Sequence, residues 1–287
     1  MVMIMAEVGS NWRRNTENES YDCVLEHIRQ AAQVGATAVK FQLFQAEKLY
    51  SKERAPSQWE QAKRYELPRH WLADIERVAK AYNIKWWVSV FDKDSADYVC
   101  RNTAVNGLKI ASGDLTNHDL VTCTYKLAVA NRIPFAISTG AADSYEINEV
   151  MKKLYRVSGI PIYFFQCVSA YPAIPRDYNL SVFDELDKFG ADNIGLSDHT
   201  SGINQVLIGM AVGLGYTTFE KHFTLDPSLD LPDKKVSLDP AAFSVYETAI
   251  RMAEIMYGDG NKKPVESEMG ERIWARRGKD GLRPAND

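Results

Sequence analysis

Cysteine is scarce in this sequence, and the few cysteines present form no recognisable metal or redox pair. Cys23, Cys100, Cys123 and Cys167 are widely spaced, and no C-x-x-C motif occurs. This spacing predicts neither a zinc site nor a disulfide framework. A reducing compartment such as the cytoplasm is the expected environment.

An excess of positive charge and a long hydrophobic run are also missing. The 34 basic and 38 acidic residues give a formal charge of -4, which excludes an extended basic surface for nucleic acid or anionic lipid. The longest apolar run, residues 206–215, is too short to span a bilayer, and the apolar N-terminus stops at Glu7 with no basic region before it. We therefore predict a cytosolic protein that binds neither nucleic acid nor membrane.

What is present is a regular alternation of strand-like and helix-like segments. Short β-branched or aromatic runs are separated by segments of helical period, which is typical of βα units. In residues 20–34, Ser20 can cap a helix that Gly35 ends; the last helix begins after Asp239 and ends at Gly258. The eight candidate strands are residues 2–8, 38–41, 85–90, 107–110, 134–138, 162–165, 193–196 and 217–219.

Eight such units predict an α/β protein with a (β/α)8 TIM barrel in residues 1–258, and a doubly wound open sheet is the alternative. Residues 44–68 form an insert with a possible helix at 58–64, which is either a lid or solvated decoration. The charged tail, residues 259–287, is too short to fold alone, so we expect it to pack on the barrel or on a partner subunit.

Polar residues follow the strands at unusual density, at the barrel end where chemistry collects. Lys40 and Lys109 lie in otherwise apolar strands, where each ammonium group needs a partner, either a bound anion or an internal carboxylate. His199 and His222 follow neighbouring strands and could share one divalent cation, although structural roles are common for histidine. The residues near the strand ends are Glu7, Lys40, Gln42, Ser89, Asp92, Lys109, Ser112, Asp114, Ser138, Ser169, Tyr171, Ser197, Asp198, His199, Glu220, Lys221 and His222.

At these positions the chain resembles the sialic-acid synthase family, whose members condense phosphoenolpyruvate (PEP) with an N-acetylated sugar. The resemblance covers residues 1 to about 265, and its pair of segments containing Ser-Asp-His-Thr and Glu-Lys-His-Phe-Thr is highly specific. The matching blocks lie at residues 6–11, 39–42, 109–117, 137–140, 195–200, 220–226 and 231–233.

The resemblance implies a role for each matching residue. His199 and His222 would hold a divalent metal, typically Mn²⁺. Glu7, Asp114 and Asp233 would act in catalysis, with Glu7 and Asp233 also facing the acceptor sugar beside Gln42 and Tyr171. The residues implied to contact PEP are Lys40, Lys109, Ser112, Ser138, Ser169 and Ser197.

The chain also departs from the family pattern. Trp12, Gln166 and Lys234 each stand where the family commonly has histidine, which leaves the acceptor open. Sialic-acid synthases carry a C-terminal antifreeze-like domain that sends an arginine into the partner's site of a dimer. In the printed sequence a tail stands in its place, so our hypothesis is that a tail arginine takes that role, the candidates being Arg272, Arg276, Arg277 and Arg283.

We therefore predict a metal-dependent enzyme that joins PEP to an N-acetylated amino sugar, similar to N-acetylmannosamine, to give a nonulosonic acid, a nine-carbon sialic-type sugar acid, and phosphate. The family resemblance implies a homodimer. One alternative is a class I aldolase or lyase with Lys109 or Lys221 as its Schiff-base amine. A degenerate barrel that only binds sugars is the other.

Overall fold

The computed structural model describes residues 2–154 and 159–285. Its strands form a closed parallel barrel in chain order, which confirms the (β/α)8 prediction and excludes the doubly wound sheet. The strands are β1 (Met3–Glu7), β2 (Ala38–Leu43), β3 (Lys85–Val90), β4 (Leu108–Ile110), β5 (Phe135–Ser138), β6 (Ile162–Cys167), β7 (Asn193–Asp198) and β8 (Thr218–His222). Strands β2, β6, β7 and β8 continue past their predicted ends, because backbone pairing continues beyond the apolar run on which the prediction rests.

Helices connect the strands, and two further helices follow the last strand. The helices are α1 (Glu17–Gln33), α2 (Ala46–Leu49), α3 (Pro56–Arg64), α4 (Leu72–Ala81), α5 (Lys93–Asn102), α6 (His118–Asn131), α7 (Ser144–Leu154), α8 (Phe183–Lys188), α9 (Gln205–Leu214), α10 (Pro240–Tyr257) and α11 (Met269–Ala275). None of those in the described ranges combines the length and hydrophobicity that a membrane crossing needs.

The cap predicted for α1 is wrong, whereas the cap predicted for α10 is confirmed. Thr16, not Ser20, caps α1: its hydroxyl accepts the Glu19 N–H, and the Glu19 carboxylate accepts the Thr16 N–H. Ser20 lies one turn inside the helix and donates to the Thr16 carbonyl at 2.7 Å. This reciprocal capping box satisfies two backbone donors, so the helix begins earlier than its apolar period indicates. At α10, the Asp239 carboxylate accepts the Ala242 N–H.

The barrel interior is apolar at one end and polar at the other. Met5, Ala38, Trp87, Ala136 and Phe165 pack together as the apolar plug. Alternate residues of a strand point to the same face, so the inward positions two residues further along the strands carry the polar groups. The strands thereby close the bottom of the barrel and gather polar side chains at their carboxyl ends.

The chain divides into two compact units, Met1–Glu254 and Ile255–Asp287. The first unit contains the barrel and its candidate site. The second contains the end of α10 and all of α11, where Ile273 and Trp274 are exposed. That residues 259–287 form no separate domain stays a prediction.

Candidate active site

Two adjoining cavities lie at the carboxyl ends of the strands. The inner cavity, of about 320 Å³, lies within the barrel mouth, and the outer cavity, of about 540 Å³, is walled in part by α2 and α3. Asp114 and Asp233 line the outer cavity, and Gln42 and Tyr171 line both. The remaining predicted site residues line the inner cavity: Glu7, Lys40, Lys109, Ser112, Ser138, Ser169, Ser197, His199 and His222. Every predicted site residue therefore belongs to one continuous site.

The two lysines of the inner cavity pair with carboxylates. Lys40 Nζ lies 2.6 Å from Glu7 Oε2 and 3.5 Å from Glu220 Oε2. Lys109 Nζ lies 2.6 Å from Glu220 Oε1, which also accepts the Ser197 hydroxyl at 2.8 Å. All four charged side chains are almost fully buried. Two ammonium groups thus face two carboxylates, and internal pairing is the arrangement that the structure shows.

Burial and ion pairing compete in setting the pKa values of the two lysines and of Glu220. Burial lowers the pKa of Lys40, but the carboxylates of Glu220 and Glu7 outweigh it and raise the pKa above its ordinary value. For Lys109, burial outweighs Glu220 and the pKa is lowered. Burial alone would raise the pKa of Glu220, but the two ammonium groups hold it well below its usual range. Glu220 is therefore ionised, and its carboxylate lies between the two ammonium groups.

Glu220 is the site residue that the sequence reasoning missed. It is one of the strand-end polar groups, but the family resemblance implies no role for it. A signal was present, because Glu220 is two residues before His222 on β8 and must share its inward face. Ser89, which accepts from Lys40 Nζ at 2.9 Å, likewise lies on that inner surface without an assigned role.

The two histidines lie close together, with ring centroids 5.7 Å apart. Burial lowers the pKa of His199 to about 4, so its ring is neutral at physiological pH. His199 Nδ1 lies 2.7 Å from the Val168 carbonyl, which assigns the proton to Nδ1 and the lone pair to Nε2. In the described part of the chain, His222 Nδ1 is buried without a hydrogen-bond partner and lies 3.8 Å from Asp233 Oδ2.

These two rings fit a divalent cation by their donor chemistry. Each offers a nitrogen lone pair, and the Val168 carbonyl orients the His199 ring as outer-shell partners of metal ligands do. No group of three or more His, Cys, Asp or Glu side chains in residues 2–154 and 159–285 has metal-binding geometry. The protein would thus supply two imidazole ligands and leave the other coordination positions open.

A second buried ionic network lies behind the histidines. Lys221 is fully buried, donates to the Thr200 carbonyl at 2.6 Å and lies 3.3 Å from Asp198 Oδ1. Tyr178 Oη donates to Asp198 and accepts the backbone N–H of His199 at 2.7 Å. Lys221 lines neither cavity, and its ammonium group is already paired. It is therefore unsuitable as a Schiff-base amine. The network instead holds the β7 end that carries His199.

The outer cavity contains two carboxylates in different surroundings. Asp233 Oδ2 accepts from the backbone N–H and the hydroxyl of Ser10, at 3.1 and 2.8 Å. Asp114 follows β4, and burial raises its pKa to about 6. A carboxyl group with that pKa can exchange a proton near neutral pH.

The insert after β2 is part of the site. Phe44, Ala46 and Ala62 form a small apolar core that joins α2 to α3, and Leu49, Gln58 and Gln61 line the outer cavity. The alternative of solvated decoration is therefore wrong for these helices.

The departures from the family pattern lie away from the cavities. Trp12 is buried and packs edge-on against Trp71 at 5.7 Å. Gln166 Nε2 donates to the Tyr178 carbonyl at 2.9 Å, and Lys234 Nζ donates to the Ser228 carbonyl. None of the three lines either cavity.

Comparison with known proteins identifies the family. The model of the NeuB family matches residues 27–262. The chain belongs to the NeuB family. It is 35% identical over 294 residues to the N,N'-diacetyllegionaminic acid synthase of Legionella pneumophila, covering 96% of this chain and 78% of that protein. It is 31% identical to the pseudaminic acid synthase of Campylobacter jejuni, with coverages of 96% and 80%.

A solved structure of the same family supports this assignment. The N-acetylneuraminic acid synthetase of Leptospira borgpetersenii, in complex with citrate, superposes with a TM-score of 0.82 at 27% identity. The match covers 94% of this chain and 90% of that one. The predicted class, a synthase of the sialic-acid type, is thereby confirmed.

Proposed function

We propose that this chain condenses PEP with an N-acetylated amino sugar similar to N-acetylmannosamine, giving a nonulosonic acid and phosphate. The observation that carries the proposal is the single cavity system in which Lys40 and Lys109 face the inner lobe and His199 and His222 lie nearby. A phosphate and a carboxylate suit the ammonium groups and the surrounding serine hydroxyls. Membership of a family of sialic-type synthases supports the same reaction.

In the proposed reaction, carbon 3 of PEP attacks the sugar aldehyde and forms the new C–C bond, while the C2–C3 and aldehyde C–O double bonds become single and the aldehyde oxygen takes up a proton to become a hydroxyl. Water adds to carbon 2, the bond from carbon 2 to the phosphate oxygen breaks, and inorganic phosphate leaves. Lys40 and Lys109 would stabilise the charge on the departing phosphate. Asp114 would accept the proton of the attacking water, and Gln42, Tyr171, Glu7 and Asp233 would orient the sugar.

The charge balance of the inner cavity supports a divalent cofactor, for which we propose Mn²⁺. The two lysines are already neutralised by Glu7 and Glu220, so an anionic substrate needs further positive charge. His199 and His222 would hold the ion, which when bound supplies Lewis-acid polarisation of a substrate oxygen. Imidazole nitrogens are common ligands of divalent transition metals, and the open positions would leave room for oxygen ligands, which Mn²⁺ prefers.

A pH profile tests the role of Asp114. Because its carboxylate form dominates only above pH about 6, the rate at saturating metal and substrates should fall about tenfold per pH unit below that value. We expect Asp114→Asn to lower kcat and abolish this limb, and Asp114→Glu to retain it. Asp119→Asn, at a 91% exposed side chain, is the control. If the rate of Asp114→Asn still falls in the same way below pH about 6, a residue other than Asp114 accepts the proton.

The space around Gly140 leads to a second prediction. A Cβ there would lie 2.5 Å from Ser169 Oγ, 2.7 Å from Cys167 Sγ and 2.9 Å from Ser112 Oγ. We expect Gly140→Ala to displace both serines and raise the KM for PEP by roughly ten- to a hundredfold, the loss of one or two hydrogen bonds to a charged ligand. Gly213→Ala, where a Cβ meets open space, should leave KM unchanged. Equal KM values for the two variants would exclude the serines from PEP binding.

The decisive assay measures phosphate release from PEP with a panel of acetamido sugars, with and without Mn²⁺. Metal-dependent release together with formation of a nonulosonic acid supports the proposal. A covalent adduct trapped by borohydride with a keto acid would favour the aldolase alternative, with Lys109 as its amine. If no sugar causes phosphate release from PEP, the alternative of a barrel that only binds sugars would be favoured.

Three further properties complete the proposal: a cytoplasmic location, a homodimeric assembly, and a tail that contributes an arginine to the sugar site. They rest on the sequence and on family membership. Truncation after Gly258 tests the tail. An unchanged KM for the sugar would remove the arginine hypothesis.

A further inference from the structure

We infer that Tyr178 is a positioning residue for the candidate metal ligand His199, which it holds through a single buried hydroxyl. The inference rests on the proposed function, because it concerns how the proposed metal site is built. Tyr178 follows the short turn Pro175–Asp177 in the loop between β6 and α8. It is almost fully buried and lines neither cavity. Any influence of Tyr178 on the site must therefore pass through another residue.

The loop between β6 and α8, residues 168–182, holds three polar groups of His199. The Val168 carbonyl accepts from the ring at Nδ1, at 2.7 Å. The Ala173 N–H donates to the His199 carbonyl at 2.8 Å, and Tyr178 Oη accepts the His199 N–H at 2.7 Å. The first contact orients the ring, and the other two fix the main chain from which the ring projects. His199 lies just beyond the end of β7, so the loop supports it where the strand ends.

The side chain of Tyr178 is itself held in one orientation. Its hydroxyl donates to Asp198 Oδ1 at 3.3 Å, and the same carboxylate oxygen accepts the N–H and the hydroxyl of Thr200 at 2.8 and 2.7 Å. Because the hydroxyl proton is directed to the carboxylate, a lone pair of Oη is left for the His199 N–H. The Tyr178 carbonyl accepts from Gln166 Nε2 at 2.9 Å. One hydroxyl thus ties together three consecutive residues, the middle one of which is His199.

Removing this hydroxyl would leave the buried N–H of His199 without its acceptor. Buried backbone donors are rarely left unpaired, so we expect the main chain at His199 to move towards another acceptor. That movement displaces Nε2, the ring nitrogen whose lone pair is available to a metal. Residues that orient metal ligands typically contribute ten- to a hundredfold in metal affinity. The metal ligand would remain present but would be misplaced.

Tyr178→Phe tests the inference, because it keeps the ring and removes only the hydroxyl. Titration of the folded variant with Mn²⁺, followed by electron paramagnetic resonance, measures affinity without turnover. We expect the Kd for Mn²⁺ to rise about ten- to a hundredfold. The Mn²⁺ concentration that gives half-maximal phosphate release should rise in parallel. Most of the rate should return at saturating Mn²⁺, because Tyr178 lines neither cavity.

Tyr216→Phe is the matched control. Tyr216 is 1% exposed, as Tyr178 is, and its hydroxyl donates to the Leu180 carbonyl of the same loop at 3.0 Å rather than to His199. This variant should lose stability in thermal unfolding but keep the wild-type Kd for Mn²⁺. A Kd that is unchanged in Tyr178→Phe, or that rises equally in both variants, would overturn the inference and leave the proposed function intact.

Gln166→Leu is a milder variant that keeps the inference testable if Tyr178→Phe does not fold. It removes the hydrogen bond to the Tyr178 carbonyl and leaves the hydroxyl in place. We expect the Kd for Mn²⁺ to rise about two- to tenfold, the effect of one ordinary hydrogen bond. If only this variant folds, an unchanged Kd would overturn the inference. Wild-type protein that binds no Mn²⁺ would overturn both the inference and the proposed metal site.

Discussion

Replacing Lys109 by methionine is expected to lower kcat/KM for PEP by about 10³-fold, the upper range for removing one preorganised donor to developing charge. The lysine is buried, pairs with Glu220 at 2.6 Å and lines the inner cavity. Without it, a leaving phosphate would face Glu220 with one ammonium group fewer. Steady-state phosphate release and PEP binding by calorimetry measure the effect.

A stability measurement separates this catalytic effect from loss of folding. Breaking a buried ion pair leaves an uncompensated charge and costs about 3 kcal/mol or more. The double variant Lys109→Met with Glu220→Gln removes both charges, so it should regain most of the stability but none of the activity. Lys126→Met, at an exposed position on α6, should change neither. Recovery of activity in the double variant would contradict the role proposed for Lys109.

Replacing either His199 or His222 by alanine is expected to abolish Mn²⁺-dependent activity. Each ring would supply one of the two imidazole nitrogens available in the site, so its loss should weaken metal binding by more than about 100-fold, the most that loss of an outer-shell partner costs. Titration of Mn²⁺ by electron paramagnetic resonance measures binding without relying on turnover. The same titration with wild-type protein should show a site that EDTA empties.

A matched control is available on the surface. The side chain of His70 is 71% exposed, so His70→Ala should bind Mn²⁺ like the wild type. Thermal unfolding of the His199 and His222 variants identifies any that fail because they do not fold. Folded variants that retain Mn²⁺ affinity would contradict the assignment of these histidines as ligands.

Much of the barrel and the positions of its site residues follow from the sequence. Alternation along each strand places Lys40 and Gln42 on the same face, and parallel strands bring their carboxyl ends to one rim. A residue just after a strand, such as Ser112, therefore has a predictable place once the barrel is assumed. The cap of α1 was assigned wrongly because Thr16 lies outside the apolar pattern.

The sequence by itself determined the alternation of strands and helices, the inward face of each strand and the motifs that carry the family resemblance. Only the tertiary structure decided how charges are paired, because Lys109 and Glu220 are 111 residues apart in the chain and meet only when the barrel closes. It likewise brought Lys221 within 3.3 Å of Asp198, a partner 23 residues earlier in the chain on the neighbouring strand β7. Pairing depends on distances of a few ångströms between distant segments, which residue order and hydrophobic period do not encode.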